Sequence, residues 1–364
     1  MQYGRIVAWI VGACTQVRRS QAKTLAELVC GAMRCRRASL ADIGRAMRGK
    51  ALPKHKIKRV DRFLGNERVE VAEAMRALMV IAAKAAGWRL FVLLDWVDIG
   101  SYKVLVAGVP IRGRSVPVLF AAYEKWQLWR SQNAFEEGFL TLLRALLPAK
   151  VEAVVVADCG FHRAELAKHL QTTGLSYAIR VNGKAYFATD DHTGRLDSMR
   201  LRPGQHVDLG FGAYRKSQPV RRRVVVYWKP HYDEPWFLVT SLDWGWKHVV
   251  SSYALRMQVE QLFRDQKNLR FGWGLRQTQL STPERLELLL LVLAFAYLFL
   301  ILLGLLARET LSASQWASGT SHMREQNSLF TIGRLIQDAL RCTVWQLLHF
   351  LAIVLTQLVE ENWG

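Results

Sequence analysis

Three acids and a set of regularly spaced cations are the residues in this chain best suited to chemistry. Within residues 251–267, Tyr253, Arg256, Glu260 and Lys267 stand at offsets of 0, 3, 7 and 14. At roughly 100° per residue they fall within about 60° of one another around a helix. Leu255, Val259, Leu262 and Leu269 gather about 130° away, as a core-facing stripe does. The segment therefore predicts one helix that buries one side and holds a carboxylate among cations on another. Arg256 and Arg264 each lie four residues from Glu260. That spacing equally suits exposed ion pairs worth about 0.2–0.5 kcal/mol each.

Two more acids complicate that plain reading. Asp95 follows Leu93 and Leu94, and Asp158 follows the apolar run 154–157, so each closes a strand-like pattern. A carboxylate at such a place is costly unless water, a cation or a metal compensates. Carboxylates brought close together repel and raise a pKa unless divalent ions hold them. Magnesium is a hard ion that takes oxygen ligands and suits phosphate chemistry. Two such ions about 3.5–4 Å apart activate a water or a 3′-hydroxyl and stabilise the leaving oxygen of an in-line displacement. Two strand-end acids and one helical acid also arise by chance in many α/β proteins, so the residues alone leave both readings standing.

The elements that would position these acids follow from periodicity. Trp88 opens a strand running to Val97, followed by strands over 101–109 and 115–123, a helix over 134–147, and an apolar strand over 151–157. Residues 159–163 turn into a helix over 164–170, and 176–181 reads as a fifth strand. The order β-β-β-α-β-α-β is mixed α/β. Beyond Lys184 the chain is richer in Gly, Tyr and Trp, with strands expected over 206–209, 222–228 and 236–240. Short helices precede all of this, over 24–33 and after Ser39, then from the cationic run 54–59 to Gly65; a longer one covers 70–86. The tail is helical over 330–340 and 344–359.

Charge points to a polyanion. The chain has 364 residues with 50 basic and 30 acidic side chains, a formal charge of +20. Residues 1–66 hold 15 Lys/Arg against 3 acids, so +12 of that excess is local. A patterned basic module of this kind suits nucleic acid before membrane lipid. The five cysteines form no CxxC pair, which argues against structural zinc and for a reduced compartment. The apolar start is followed by Arg18, Arg19 and Lys23, unlike a signal peptide, and reads as a buried first helix. Residues 288–307 carry no charge for 20 positions, long enough to cross a bilayer, and no second stretch matches them. A central helix packed against a sheet has the same pattern, and we expect that instead.

With these residues assembled, the chain resembles the DDE transposases of bacterial insertion sequences. The resemblance rests on Asp95 in LLDWVD, Asp158 in VVADCGFHR, and Tyr253-x2-Arg256-x3-Glu260-x6-Lys267. That last signature is similar to the one of the cut-and-paste IS-four family. Further likeness runs from Ala22 to Leu306, including Arg62-Phe-Leu-Gly-Asn66 and Leu238-Val-Thr-Ser241. The resemblance implies an RNase H-like catalytic domain, a mixed five-stranded sheet with helices, interrupted by a β-rich insertion and preceded by an all-helical DNA-binding domain. The implied division is 1–70 for the basic helical domain, 71–184 and 246–310 for the two parts of the catalytic domain, 185–245 for the insertion and 311–364 for a helical tail. Asp95, Asp158 and Glu260 would bind two magnesium ions, with manganese as a substitute. Tyr253, Arg256 and Lys267 would contact transposon-end DNA, and Arg264 joins them. Lys54, Lys56, Lys58, Arg59 and Arg62 in the basic module, with the run Arg221, Arg222 and Arg223, are further phosphate ligands. Relatives use a tryptophan of the insertion on a flipped base; Trp244 and Trp246 stand nearest the signature, with Trp228 and Trp236 behind them.

Such enzymes nick the transposon end, form and reopen a hairpin, and join the end to target DNA. They do so as a synaptic homodimer on terminal inverted repeats, in the bacterial cytoplasm at the nucleoid and without a membrane. One departure is Cys159, where many relatives carry Arg. An inactive DNA-binding descendant, or a membrane-associated protein built on 288–307, are the alternatives.

Overall fold

The computed structural model describes residues 3–216, 219–270, 272–312, 314, 327–338 and 342–364. Five helices come first: α1 (Tyr3–Ala13), α2 (Arg19–Arg34), α3 (Leu40–Ala46), α4 (Pro53–Leu64) and α5 (Val71–Ala85). Ser39 caps α3 by accepting the Asp42 amide at 3.0 Å, which satisfies a donor the first turn would leave orphaned. Their apolar faces join the same core as the rest of the chain. Arg285 ties α4 to the central helix described below by pairing with Asp61.

Strands β1 (Arg89–Ile99), β2 (Tyr102–Ile111) and β3 (Arg114–Glu124) form an antiparallel meander. Helix α6 (Gln132–Leu146), strand β4 (Glu152–Ala157), helix α7 (Ala164–Thr172) and strand β5 (Ser176–Val181) follow, with β4 parallel to β1 and β5 parallel to β4. The insertion supplies β6 (Tyr186–Ala188), β7 (Thr193–Arg195), β8 (His206–Tyr214), β9 (Val220–Tyr227) and β10 (Trp236–Thr240).

The sheet has ten strands, in the order β3-β2-β1-β4-β5-β10-β9-β8-β6-β7, against the five expected. The cause is β10, which pairs antiparallel with the open edge of β5, Val239 opposite Ile179. An uncovered β5 would present a row of unpaired amides and carbonyls, and the insertion removes that edge. The segment expected as an insertion, 185–245, therefore continues the sheet.

After the sheet come α8 (Trp246–Ala254), α9 (Met257–Lys267), α10 (Pro283–Thr310), α11 (Leu329–Ile336) and α12 (Val344–Asn362). Helix α10 has 28 residues and is about 42 Å long. Thr282 caps it and Pro283 opens its first turn, where a missing amide costs nothing. Every residue from 288 to 307 is buried in protein, against α2, α5, α11, α12 and β3, so the uncharged span is accounted for without a bilayer. Two glycines allow α11 to lie directly on it. A Cβ on Gly304 would stand 2.1 Å from the Leu329 carbonyl oxygen, and one on Gly333 would stand 1.9 Å from that of Leu300. Helix α12 is a second helix long and apolar enough to cross a membrane, where the sequence had suggested one such span; it is only partly buried. The helix expected over 330–340 is α11, and residues 339–341 lie outside the described ones.

Candidate active site

Register brings the first two acids together. Leu94 on β1 pairs with Ala157 on the parallel neighbour β4, so Asp95 and Asp158 are the next residues on two adjacent strands. Asp95 accepts the Trp96 amide at 2.8 Å, and Asp158 accepts the Gly160 amide at 2.9 Å, capping a single helical turn over Cys159–Phe161. These local bonds fix one oxygen of each carboxylate and leave the other to face a common space.

That space is filled from the signature segment, which differs from its expected form. The single helix over 251–267 is two, α8 and α9, meeting at Leu255 and Arg256. The amides of Leu255, Arg256, Gln258 and Val259 bond to carbonyls three residues back, which tightens the winding there. Tyr253 thus belongs to one helix and Glu260 to the next. The tightened turn aims Arg256 inward. Its Nη2 lies 3.3 Å from Asp158 Oδ2 and 3.7 Å from Asp95 Oδ2, and its Nη1 donates to Glu260 Oε1 at 2.7 Å. One guanidinium bridges all three carboxylates. The arginine and Asp95 are 12% and 15% exposed, Asp158 31% and Glu260 47%, so the cluster opens to solvent on the Glu260 side.

The electrostatics follow from burial. Desolvation pushes the Asp95 carboxyl up to about 6; Arg256 pulls it down, and the nearby Asp158 charge pushes it further up. Lys267, half-buried at the end of α9, sits 5.5 Å from the Phe263 ring. Desolvation lowers its pKa, and Arg276 adds to the fall, while Asp98 and Asp95 oppose it. Lys267 therefore shares the field of the strand-end acids. Tyr253 is buried with its ring 4.9 Å from that of Trp236, and burial pushes its hydroxyl up to about 12. Arg264 is exposed and, among the described residues, makes no ion pair with Glu260.

Elsewhere the expected ligands divide. Lys54, Lys58 and Arg62 are exposed on α4, whereas Lys56 donates to the Met47 carbonyl at 2.9 Å and Arg59 pairs with Glu27. In the run on β9, Arg221 is exposed. Arg222 is buried against Tyr177, and Arg223 is buried in a pair with Asp208 while donating to the Leu242 and Trp244 carbonyls. A buried guanidinium needs acceptors: Arg223 finds three, whereas Arg222 donates to the Arg221 carbonyl at 2.7 Å and leaves its Nε without a partner. Trp244 packs with Phe91 and Trp363, four residues before Asp95 along β1 and about 13 Å from it in strand length. Trp246 stacks on His206 at 3.7 Å, Trp228 donates to the Tyr232 carbonyl, and Trp236 is core.

Sequence reasoning overlooked two buried supports. Glu136 on α6 is 1% exposed and accepts from Trp96 Nε1, Gln132 and Arg163, each at 2.9 Å, tying the residue after Asp95 to the loop after Asp158. Asp265 on α9 is likewise buried, 2.8 Å from Arg114 and accepting the Tyr297 hydroxyl at 2.8 Å. Burial raises its pKa and Arg114 opposes that rise. Neither acid has a flagging motif, although an acid on the apolar side of a helical pattern is itself a signal.

Residues 132–299 match the family model of the transposase DDE domain. The match supports a DDE transposase family. It takes in Asp158 and the whole signature segment, while Asp95 lies ahead of it. Among curated proteins none matches the chain. Transposases of this family generally use divalent ions, and the donor set here is chemically right for them: three carboxylates, oxygen donors alone, against one guanidinium. Among the described residues no three acidic, His or Cys side chains are grouped as a metal site, and Arg256 pairs with all three of these acids.

Proposed function

We propose that the chain is a magnesium-dependent DNA transposase of the cut-and-paste kind, acting on the terminal inverted repeats of a bacterial insertion sequence. The observation that carries this reading is the convergence of Asp95, Asp158 and Glu260 on Arg256. In this reading the three acids hold two divalent ions. When bound, those ions supply activation of the attacking water or 3′-hydroxyl and charge stabilisation at the leaving oxygen. The rigid β1–β4 pair and the Asp265 anchor keep the acids in fixed register, as such chemistry demands. Arg256 and Lys267 offer cations to phosphate oxygens beside the scissile bond, and a guanidinium moved from carboxylate to phosphate exchanges one bidentate anion for another.

The reaction is a series of in-line displacements. Water attacks a phosphorus at the transposon end and frees a 3′-hydroxyl. That hydroxyl attacks the opposite strand, closing a hairpin and releasing flanking DNA; water then reopens the hairpin. The same 3′-hydroxyl finally attacks target DNA and joins the end to it. Two copies, one on each end, form the synaptic complex, in the cytoplasm at the nucleoid. The exposed Lys54, Lys58, Arg62 and Arg221 supply counterion-releasing contacts, so binding weakens steeply with salt.

The test is incubation of purified protein with its element's terminal repeats and Mg²⁺. Nicks and hairpins from the wild type, absent with Glu260→Gln, support the reading. Equal cleavage by both proteins rejects the role of Glu260, and no cleavage by either rejects the enzyme.

A further inference from the structure

The turn between β3 and α6 carries two tryptophans that the fold does not use. Trp126 is 71% exposed and Trp129 is 77% exposed. A tryptophan that buried its ~150–250 Å² would gain several kcal/mol, so two left bare within four residues are surface held out for a partner. Their support is nonetheless rigid. Residues Lys125–Leu128 form one helical turn closed by a reciprocal capping box between Glu124 and Gln127. Leu128 is buried beneath, Trp126 Nε1 donates to the Glu124 carboxylate, and the Trp129 amide bonds to the Trp126 carbonyl at 3.2 Å. Arg130 takes φ of 62°, a left-handed conformation that costs a non-glycine residue roughly 1–2 kcal/mol.

The position of this turn follows from strand register. Glu124 pairs with Tyr102, and Ile99 pairs with Tyr102 from the other side, so the turn leaves the sheet at the end of β1 that bears Asp95. Lys125 lies 3.2 Å from Asp98, and Asp98 also acts on Lys267. The tryptophans therefore lie two strands, ~10 Å, across from β1 and just past the level of Ile99, which is four residues, ~13 Å, along β1 from Asp95. Lys125 and Arg130 flank them, both exposed.

We infer that Trp126 and Trp129 form a stacking platform for unpaired bases of the DNA strand leaving the carboxylate site. The inference rests on the DNA-cleaving reading above. Flat exposed rings between Lys125 and Arg130, on a chain of formal charge +20, suit nucleobases attached to phosphates. Work at a scissile phosphate near a strand end opens base pairs, and the platform would hold the bases so freed.

The experiment uses the full chain with an arbitrary-sequence duplex, either blunt or ending in a single-stranded splay that contains a fluorescent adenine analogue. The proteins are wild type, a Trp126→Ala/Trp129→Ala double variant and a Trp126→Phe/Trp129→Phe double variant. Wild type and the Phe variant are expected to quench the analogue. The Ala variant should lose quenching and bind the splayed duplex roughly tenfold more weakly, with blunt-duplex affinity unchanged. Unchanged affinity and quenching in the Ala variant would overturn the platform while leaving DNA binding intact. A wild type that binds neither duplex would overturn the DNA reading, and the platform with it. An Ala variant that melts early, or that falls apart to a smaller assembly without DNA, would make the patch a structural or protein contact and overturn the inference.

Discussion

Replacing Arg256 with methionine tests whether a single cation holds the acidic cluster together. Methionine keeps most of the stem packing and removes only the charge. Glu260 is nearly half exposed, so its pair with Arg256 is worth roughly 0.2–1 kcal/mol. Asp95 and Asp158 are more enclosed, nearer the case in which removing one partner of a buried pair costs about 3–5 kcal/mol. In the absence of divalent ions the variant should lose about 3 kcal/mol at ~pH 8, a fall in Tm of roughly 4 °C for a chain of this size. The pH dependence carries the sharper sign. Asp95 titrates at about 6 in the fold, above its ordinary 3.8, so the folded state binds the extra proton. Stability therefore falls as pH rises through that interval, by about 3 kcal/mol for a shift of this size. Without Arg256, the main influence lowering that pKa, the carboxyl moves higher and the penalty above neutrality grows. Near ~pH 5 Asp95 is protonated in both proteins, and the gap in stability should narrow to about 1 kcal/mol. Calorimetric melting across this range in EDTA is the assay. A gap that stays constant with pH, or a variant as stable as the wild type at high pH, would refute the account of Arg256 as the shared counter-ion.

Other perturbations should separate scaffold from surface. Asp265→Ala strands Arg114 in the interior and should cost about 3–5 kcal/mol in urea unfolding, whereas Asp265→Asn, which keeps an acceptor for Tyr297, should cost less. Gly304→Ala forces a methyl against the Leu329 carbonyl and should destabilise by about 1–3 kcal/mol, read as a lower unfolding midpoint. Arg221→Ala should weaken binding to duplex DNA and flatten its salt dependence without lowering Tm. Arg223→Ala should do the reverse, lowering Tm by removing the partner of Asp208. A titration of Mn²⁺ followed by electron paramagnetic resonance should find tighter binding to the Arg256→Met variant than to wild type without DNA, since one competing cation is gone; weaker binding would make the guanidinium a support of the metal site instead.

Some of this was legible in the residues. The five strands from Arg89 to Val181 have β-branched, apolar patterns strong enough to declare themselves, and an acid ending such a run is conspicuous. Parallel pairing of β1 with β4, a one-residue matter of register, turns two such ends into neighbours. The extension of the sheet was hidden because a period of two says that a strand has faces and nothing of which edge it will join. Val239 and Ile179 are 60 residues apart in the chain, and neither segment names the other. Exposure was equally hidden. Trp126 and Trp129 share the residue type of the buried Trp236 and nonetheless stand exposed on a capped turn.

The signature segment makes the limit plainest. Its spacing put Arg256 beside Glu260, and their i,i+4 pair is indeed present at 2.7 Å. An unbroken helix would have left that pair on the surface, a small local gain. The turn at Leu255 and Arg256 contains no glycine or proline and keeps ordinary right-handed angles, so no local propensity announces it. What the turn serves is tertiary: Asp95 on β1 and Asp158 just past β4, brought near one another by strand register, meet their cation in Arg256. The same arginine thus reads as a surface neighbour from the helix and as the hub of the cluster from the sheet. The long-range charges decide between the two, because burial multiplies their strength while the helical pair remains exposed to water.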